Sequence, residues 1–202
     1  MSITRVSIQL SLLSLVALAA CAKSDTPAVD TTAAATAAPA PDTAKPAASA
    51  APAITDAQIA HIAVTANAID STAGALAKTK GSSKAVKDFA QTMVMDHGGV
   101  NKQAVALATK LGVTPEDNDV SKQLKTGADQ NVANLQGLSG AAFDKAYIDH
   151  EVAYHQAVLD ALDQTLIPNA QNADLKALLV KVRPAFVAHL DRAKSIQGSL
   201  AK

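Results

Sequence analysis

Imidazole holds transition metals and moves protons near neutral pH, and the chain carries five histidines. Two of them, His150 and His155, flank Glu151 in YIDHEVAYH (147–155). The stretch is close to H-E-x-x-H, in which two histidines four residues apart share a helix face and grip one zinc ion. Here the spacing is five residues, which sets the two rings roughly 140° apart around a helix. His155 therefore needs partners from other helices.

Partners stand at matching register. Val86, Phe89, Ala90, Met93, Val100, Ala104 and Leu107 recur at three- and four-residue steps, and His97 falls on that stripe. Leu175, Leu179, Val182, Phe186, Ala193 and Ile196 form a second stripe that includes His189; Ile148, Val152, Leu159 and Leu162 form a third around His155. Three histidines from three helices are thus expected to face one core, whereas His61 and His150 are expected at the rim or surface. Asp70, Asp96 and Glu151 lie near these positions in sequence or register, as ligands or as acceptors that orient the imidazoles. With Asn67 and Tyr147 the set supports two chemistries. One is a transition-metal site for zinc, iron or copper; the other is a buried hydrogen-bond network that fixes helix register. The sequence alone favours the network. Imidazole nitrogens converging within about 3 to 4 Å on a common point would favour metal, and rings separately bonded to aspartates or carbonyls would favour the network.

Long helices must position these side chains. TDAQ reads as a capping box, with Thr55 capping and Gln58 reaching back, for a first helix that ends before Gly81. A second runs from about Ser83 to Leu111, closed by Gly112, with Pro115 preventing its resumption. A shorter polar helix is expected from about Asp119 to Leu138, another from Ala141 to Gln164, and a last from an Asn172 cap to Ser199. Gly98-Gly99 and Pro184 sit inside two of these helices and permit bends. The expected fold is all-α: four long helices and one shorter connecting helix in a bundle.

Residues 1–20 read as an export signal, and LAAC (18–21) resembles the lipobox of bacterial lipoproteins, which makes Cys21 the expected lipidation site. Several acyl chains give stable anchoring, so the membrane is the expected partner. Ala22 fits sorting to an outer membrane, facing the periplasm. Cys21 is the single cysteine, which excludes an internal disulfide and a thiolate metal site. Residues 21–53, rich in Ala, Pro and Thr, read as a disordered tether to the folded domain at 54–202. The 18 basic and 18 acidic residues balance without a basic cluster, so nucleic acid is not an expected partner.

Four separated segments then carry a family resemblance: ANAIDSTAGALA (66–77), VKDFAQTMVMDHGGVNKQAVALATKLGV (86–113), LSGAAFDKAYIDHEVAYHQAVL (138–159) and RPAFVAHLDRA (183–193). Together they resemble the bacterial family called domain of unknown function 4142, over about residues 54–200. The resemblance implies an exported or outer-membrane-associated protein with a ferritin-like four-helix bundle and no established activity. Its recurrent positions fall here on Asn67, Asp70, Gly74, Asp96, His97, Phe143, Asp144, Tyr147, His155, Pro184 and His189. Asp70 stands where the family usually has glutamate. A di-iron oxidase of the ferritin type is not expected, because its carboxylate set needs four glutamates and the chain has two, Glu116 and Glu151. No serine or cysteine of the expected domain lies in a nucleophile motif beside a histidine. The expected function is a lipid-anchored, non-enzymatic interaction or stress-related structural module of the cell envelope, with a metal-binding envelope protein as the alternative.

Overall fold

The structure, a computed structural model, describes residues 54–202; the export signal, Cys21 and the tether lie outside the described residues. It is all-helical there, and side-chain caps explain where four of its helices begin. α1 (Asp56–Lys80) opens on the expected box: the Thr55 hydroxyl accepts from the Gln58 N–H, and the Gln58 side chain accepts from the Thr55 N–H, both at 3.2 Å. The Ser83 hydroxyl caps α2 (Lys84–Lys110), Asn118 caps α3 (Asp119–Gln136), and Asn172 caps α6 (Ala173–Leu200). Gly112, with φ at 64°, takes the left-handed position expected after α2.

α4 (Gly140–Ala161) departs from expectation at its end. Its helical path continues past Gln164 through a wide π turn (Leu162–Leu166) and one further turn, α5 (Ile167–Asn169). Pro168 has no N–H to donate, and in an ordinary α turn its ring would meet the carbonyl four residues back. Widening the turn, with the Ile167 N–H bonded to the Leu162 carbonyl, carries the helix through instead of stopping it. α2 and α6 likewise run unbroken through Gly98-Gly99 and Pro184.

α1 pairs with α2, α4 pairs with α6, and α3 lies across α1 and α4. Gly74 allows the first pairing, because a Cβ there would stand 2.9 Å from the Ala90 carbonyl oxygen and 3.1 Å from the Met93 Cβ. Asp144 fastens the α1–α2 turn to α4: its carboxylate accepts from the Ser82 N–H at 2.8 Å and from the Ser82 hydroxyl and Ser83 N–H at 2.7 Å each. Burial pushes the Asp144 carboxyl up, but these bonds outweigh it and hold it below its ordinary value. The apolar core forms two clusters. One holds Ile59, Ile62, Leu159, Leu179 and Phe186; the other holds Ala73, Phe89, Met93, Phe143, Ile148 and Ile196. Along α1, α2 and α4, buried polar residues separate the two; on α6, His189 lies at the boundary, between Phe186 of the first and Ala193 of the second. No helix among the described residues is long and apolar enough to cross a membrane.

Two substitutions test this packing. Gly74→Ala should cost about 1–3 kcal/mol by overpacking. Gly99→Ala, where a Cβ meets nothing within 4 Å, should gain about 0.5–1 kcal/mol; urea denaturation measures both. Asp144 supplies a pH dependence. Its folded pKa is depressed, so its stabilisation is present above the unfolded value of about 3.9 and disappears as pH falls through the folded value. Asp144→Asn should destabilise by about 1–3 kcal/mol at pH 7, and the gap to wild type should narrow below about pH 4.

Candidate metal centre

The layer between the apolar clusters draws on four helices. α1 supplies Asn67 and Asp70, α2 His97, α4 Glu151 and His155, and α6 His189, all buried. The imidazoles form a near-equilateral triangle: ring centroids are 5.1 Å apart for His97 and His189, 5.5 Å for His97 and His155, and 5.5 Å for His155 and His189. A ligand-capable nitrogen from each lies within 4.8 Å of the other two, and the same limit groups Asp70, Glu151 and His155. Asp70 joins the two groups, with Oδ2 3.2 Å from His97 Nε2 and 3.6 Å from His155 Nε2.

Each ring is fixed by its outer nitrogen. The Asn67 Nδ2 donates to the Ala63 carbonyl at 2.8 Å, which turns the Asn67 Oδ1 toward His97 Nδ1 at 2.9 Å. An oxygen there only accepts, so His97 carries its proton on Nδ1 and a lone pair on Nε2. His155 Nδ1 donates to the Glu151 carbonyl at 3.0 Å, leaving its Nε2 lone pair free. His189 is the reverse tautomer: Nε2 donates to Asp96 Oδ2 at 2.9 Å, and Nδ1 keeps the lone pair. These three inner nitrogens are buried without a hydrogen-bond partner among the described residues, whereas Asp70 and Tyr147 each share a hydrogen bond with Glu151 that stands at the edge of acceptable geometry.

Burial also decides their charge. His97 is pushed down to about 3, by burial first and then by the neighbouring imidazoles of His155 and His189. Burial likewise takes His155 down to about 4, against its bond to the Glu151 carbonyl. Asp70 rises to about 7 because it is buried, with a smaller opposing contribution from Glu151. Glu151 is raised well above its ordinary value by burial and then by the Asp70 charge, and burial raises the Tyr147 hydroxyl. The 3.2 Å contact between His97 and Asp70 has the length of an ion pair. Desolvation on both sides nevertheless drives the pair toward its uncharged form.

A proton count shows what the protein leaves undone. A protonated Asp70 can donate one hydrogen bond, and His97 Nε2 is the lone pair within its reach. Glu151 approaches the protonated side of His155, with Oε2 3.4 Å from Nδ1. The lone pairs of His155 Nε2 and His189 Nδ1 then still lack a donor among the described residues.

The structure thus brings His97, His155, His189, Asp70, Glu151 and Asn67 together, with Tyr147 beside the carboxylates. Asp96 sits at the rim, its side chain 45% exposed, as the acceptor that orients His189. His61 and His150 are half-buried and outside the triad, as expected; His61 faces Asp117, and His150 packs on Tyr154. Sequence reasoning treated Phe186 as a core residue only. Its ring lies 5.0 Å from that of His97 and 5.8 Å from that of His155, so it walls the cluster. The available signal was its position one turn before His189 on the same stripe.

Compared with known proteins, the chain matches one family model, described as a domain of unknown function (DUF4142), over residues 40–196. No curated protein and no solved structure matches it.

The tautomers are directly observable. In metal-free protein at pH 7, long-range proton–nitrogen NMR should show His97 and His155 neutral and protonated on Nδ1, and His189 with its proton on Nε2 when neutral. His97 and His155 should show no titration above about pH 5, given values near 3 and 4.

Proposed function

The chain belongs to the family of domain of unknown function 4142, whose description names no activity, and we propose that its helical bundle binds a divalent first-row transition metal ion. The observation that carries this reading is the set of three buried imidazole lone pairs on three helices, each on a ring whose other nitrogen is already bonded outward. His97 Nε2, His155 Nε2 and His189 Nδ1 are the nitrogen ligands, with Asp70 as a carboxylate ligand and Glu151 beside it. Asn67, the Glu151 carbonyl and Asp96 hold the rings in the tautomers that ligation requires, the usual work of the groups behind metal-bound histidines.

Donor chemistry narrows the ion. Imidazole with carboxylate suits zinc, iron, copper and nickel, whereas magnesium and calcium favour all-oxygen sites. A bound cation also reverses the electrostatics of the layer, because a neighbouring positive charge favours the ionised carboxylates that burial disfavours. An open groove lined by Asp88, Thr92, Asp96 and Arg192 reaches His189 and offers a route from solvent. Both signatures named from the sequence are present, the inner nitrogens gathered within 4.8 Å and the outer ones bonded separately to Asn67, the Glu151 carbonyl and Asp96. A purely structural network, the arrangement of these residues favoured from sequence, accounts for the outer nitrogens but less well for the inner lone pairs, since buried polar atoms ordinarily find partners. No catalytic step is assigned, because the cluster holds ligands and their orienting partners without a serine, threonine or cysteine nucleophile. The proposal includes location: the export signal and LAAC at Cys21 support an outer-membrane lipoprotein presenting this domain to the periplasm.

Elemental analysis of protein purified without chelators tests the metal. Wild type and His61→Ala should carry a near-stoichiometric transition metal, and His97→Ala, His155→Ala and His189→Ala should lose it. Asn67→Ala should keep the ligands but weaken affinity by about 10–100-fold. A metal-free wild type that zinc, copper and iron all fail to stabilise thermally would return the histidines to a structural role.

A further inference from the structure

Beside the imidazole layer, in the half of the core built on Ile62, Leu179 and Phe186, the helices form an apolar cavity of about 120 Å³ that opens to solvent at one side, past Val120 and Ala157. We propose that this cavity is a binding site for a neutral apolar molecule of about the size of benzene. The volume supports that class: a dry cavity of about 150 Å³ lined by Leu, Ile and Phe takes up benzene or xenon.

Its polar lining is already committed. Asp56 is the one ionisable lining side chain apart from the Tyr154 phenol, and both its carboxylate oxygens accept backbone N–H groups, from Gln171 and Asn172 at 2.9 Å each. The Tyr154 hydroxyl donates to the Ala66 carbonyl at 3.0 Å, and the Asn67 amide is spent on Ala63 and His97. The Asn172 side-chain oxygen caps α6. Water needs two to four polar partners to stay in such a space, and this lining offers few uncommitted ones. An anionic ligand such as a free fatty acid would find no lysine or arginine on the walls and would meet the Asp56 carboxylate. A neutral hydrocarbon needs none of these contacts.

The space exists because alanine occupies wall positions on the two paired helices, among them Ala63 and Ala66 on α1 and Ala104 and Ala108 on α2. Phe186 links the cavity to the histidines, since it lines the space and packs against the His97 ring at 5.0 Å.

Benzene titration of chelator-treated protein, followed by methyl and aromatic NMR, tests the site. Metal plays no part in this readout, so its failure is distinct from a failure of metal binding. Saturable shifts are expected at Leu179 and Val182 and at the Phe186 ring, with Ala104→Leu and Ala108→Leu each weakening benzene binding at least tenfold. Wild-type spectra without saturable shifts would overturn the proposal, and so would saturable binding left unchanged in both filled variants.

Discussion

The structure depends on a layer of polar side chains buried between two apolar clusters. Each buried donor or acceptor left unpaired costs about 1–3 kcal/mol, and a whole domain is stable by only about 5–15 kcal/mol. Several such groups in one layer weigh as much as the net stability of the fold. Asn67, the Glu151 carbonyl and Asp96 remove part of that cost by taking the outer protons of His97, His155 and His189. The inner lone pairs remain, and a cation answers them more completely than a proton does, because one ion accepts several lone pairs at once.

Such a cluster works only if four helices hold their register. A slide of one residue along α2 would turn His97 about 100° away from Asp70 and His155. Devices at the helix ends and at one close contact prevent it. Asp144 ties the start of α2 to α4, Asp56 ties the start of α1 to the cap of α6, and Gly74 seats α1 against α2. None of these residues touches the imidazoles, yet together they fix the axial positions of all four helices that supply the layer.

The sequence made the layer legible because its signal is periodic. A histidine at the step of an apolar stripe points where the stripe points, and so His97, His155 and His189 could be placed in one core without coordinates. The choice between metal and network was not legible, because it turns on tautomers. A tautomer is set by what bonds the far nitrogen, and Asn67 lies 30 residues from His97 while Asp96 lies 93 from His189. The end of α4 was hidden for a related reason. Pro168 reads as a stop in a one-dimensional pattern, and only the wider π turn lets the helix pass it. The apolar cavity had no sequence signal either, since alanines at helical steps look the same beside a void as beside a tightly packed neighbour.

Charge balance bears on how many ions such a layer could hold. The di-iron sites of helical bundles surround two cations with four glutamates and two histidines. Here the buried ligand set has three neutral imidazoles and two carboxyl groups, Asp70 and Glu151. Fully ionised, those carboxylates contribute two negative charges, which neutralise one divalent ion. A second would leave net positive charge where desolvation is expensive, and ionising Tyr147, against a pKa that burial and both carboxylates raise, would offset only part of that excess. Asp70 fits a single ion sterically as well, because its Oδ2 already stands near the inner nitrogens of both His97 and His155. For the metal site proposed here, the donor count therefore favours one ion over a pair.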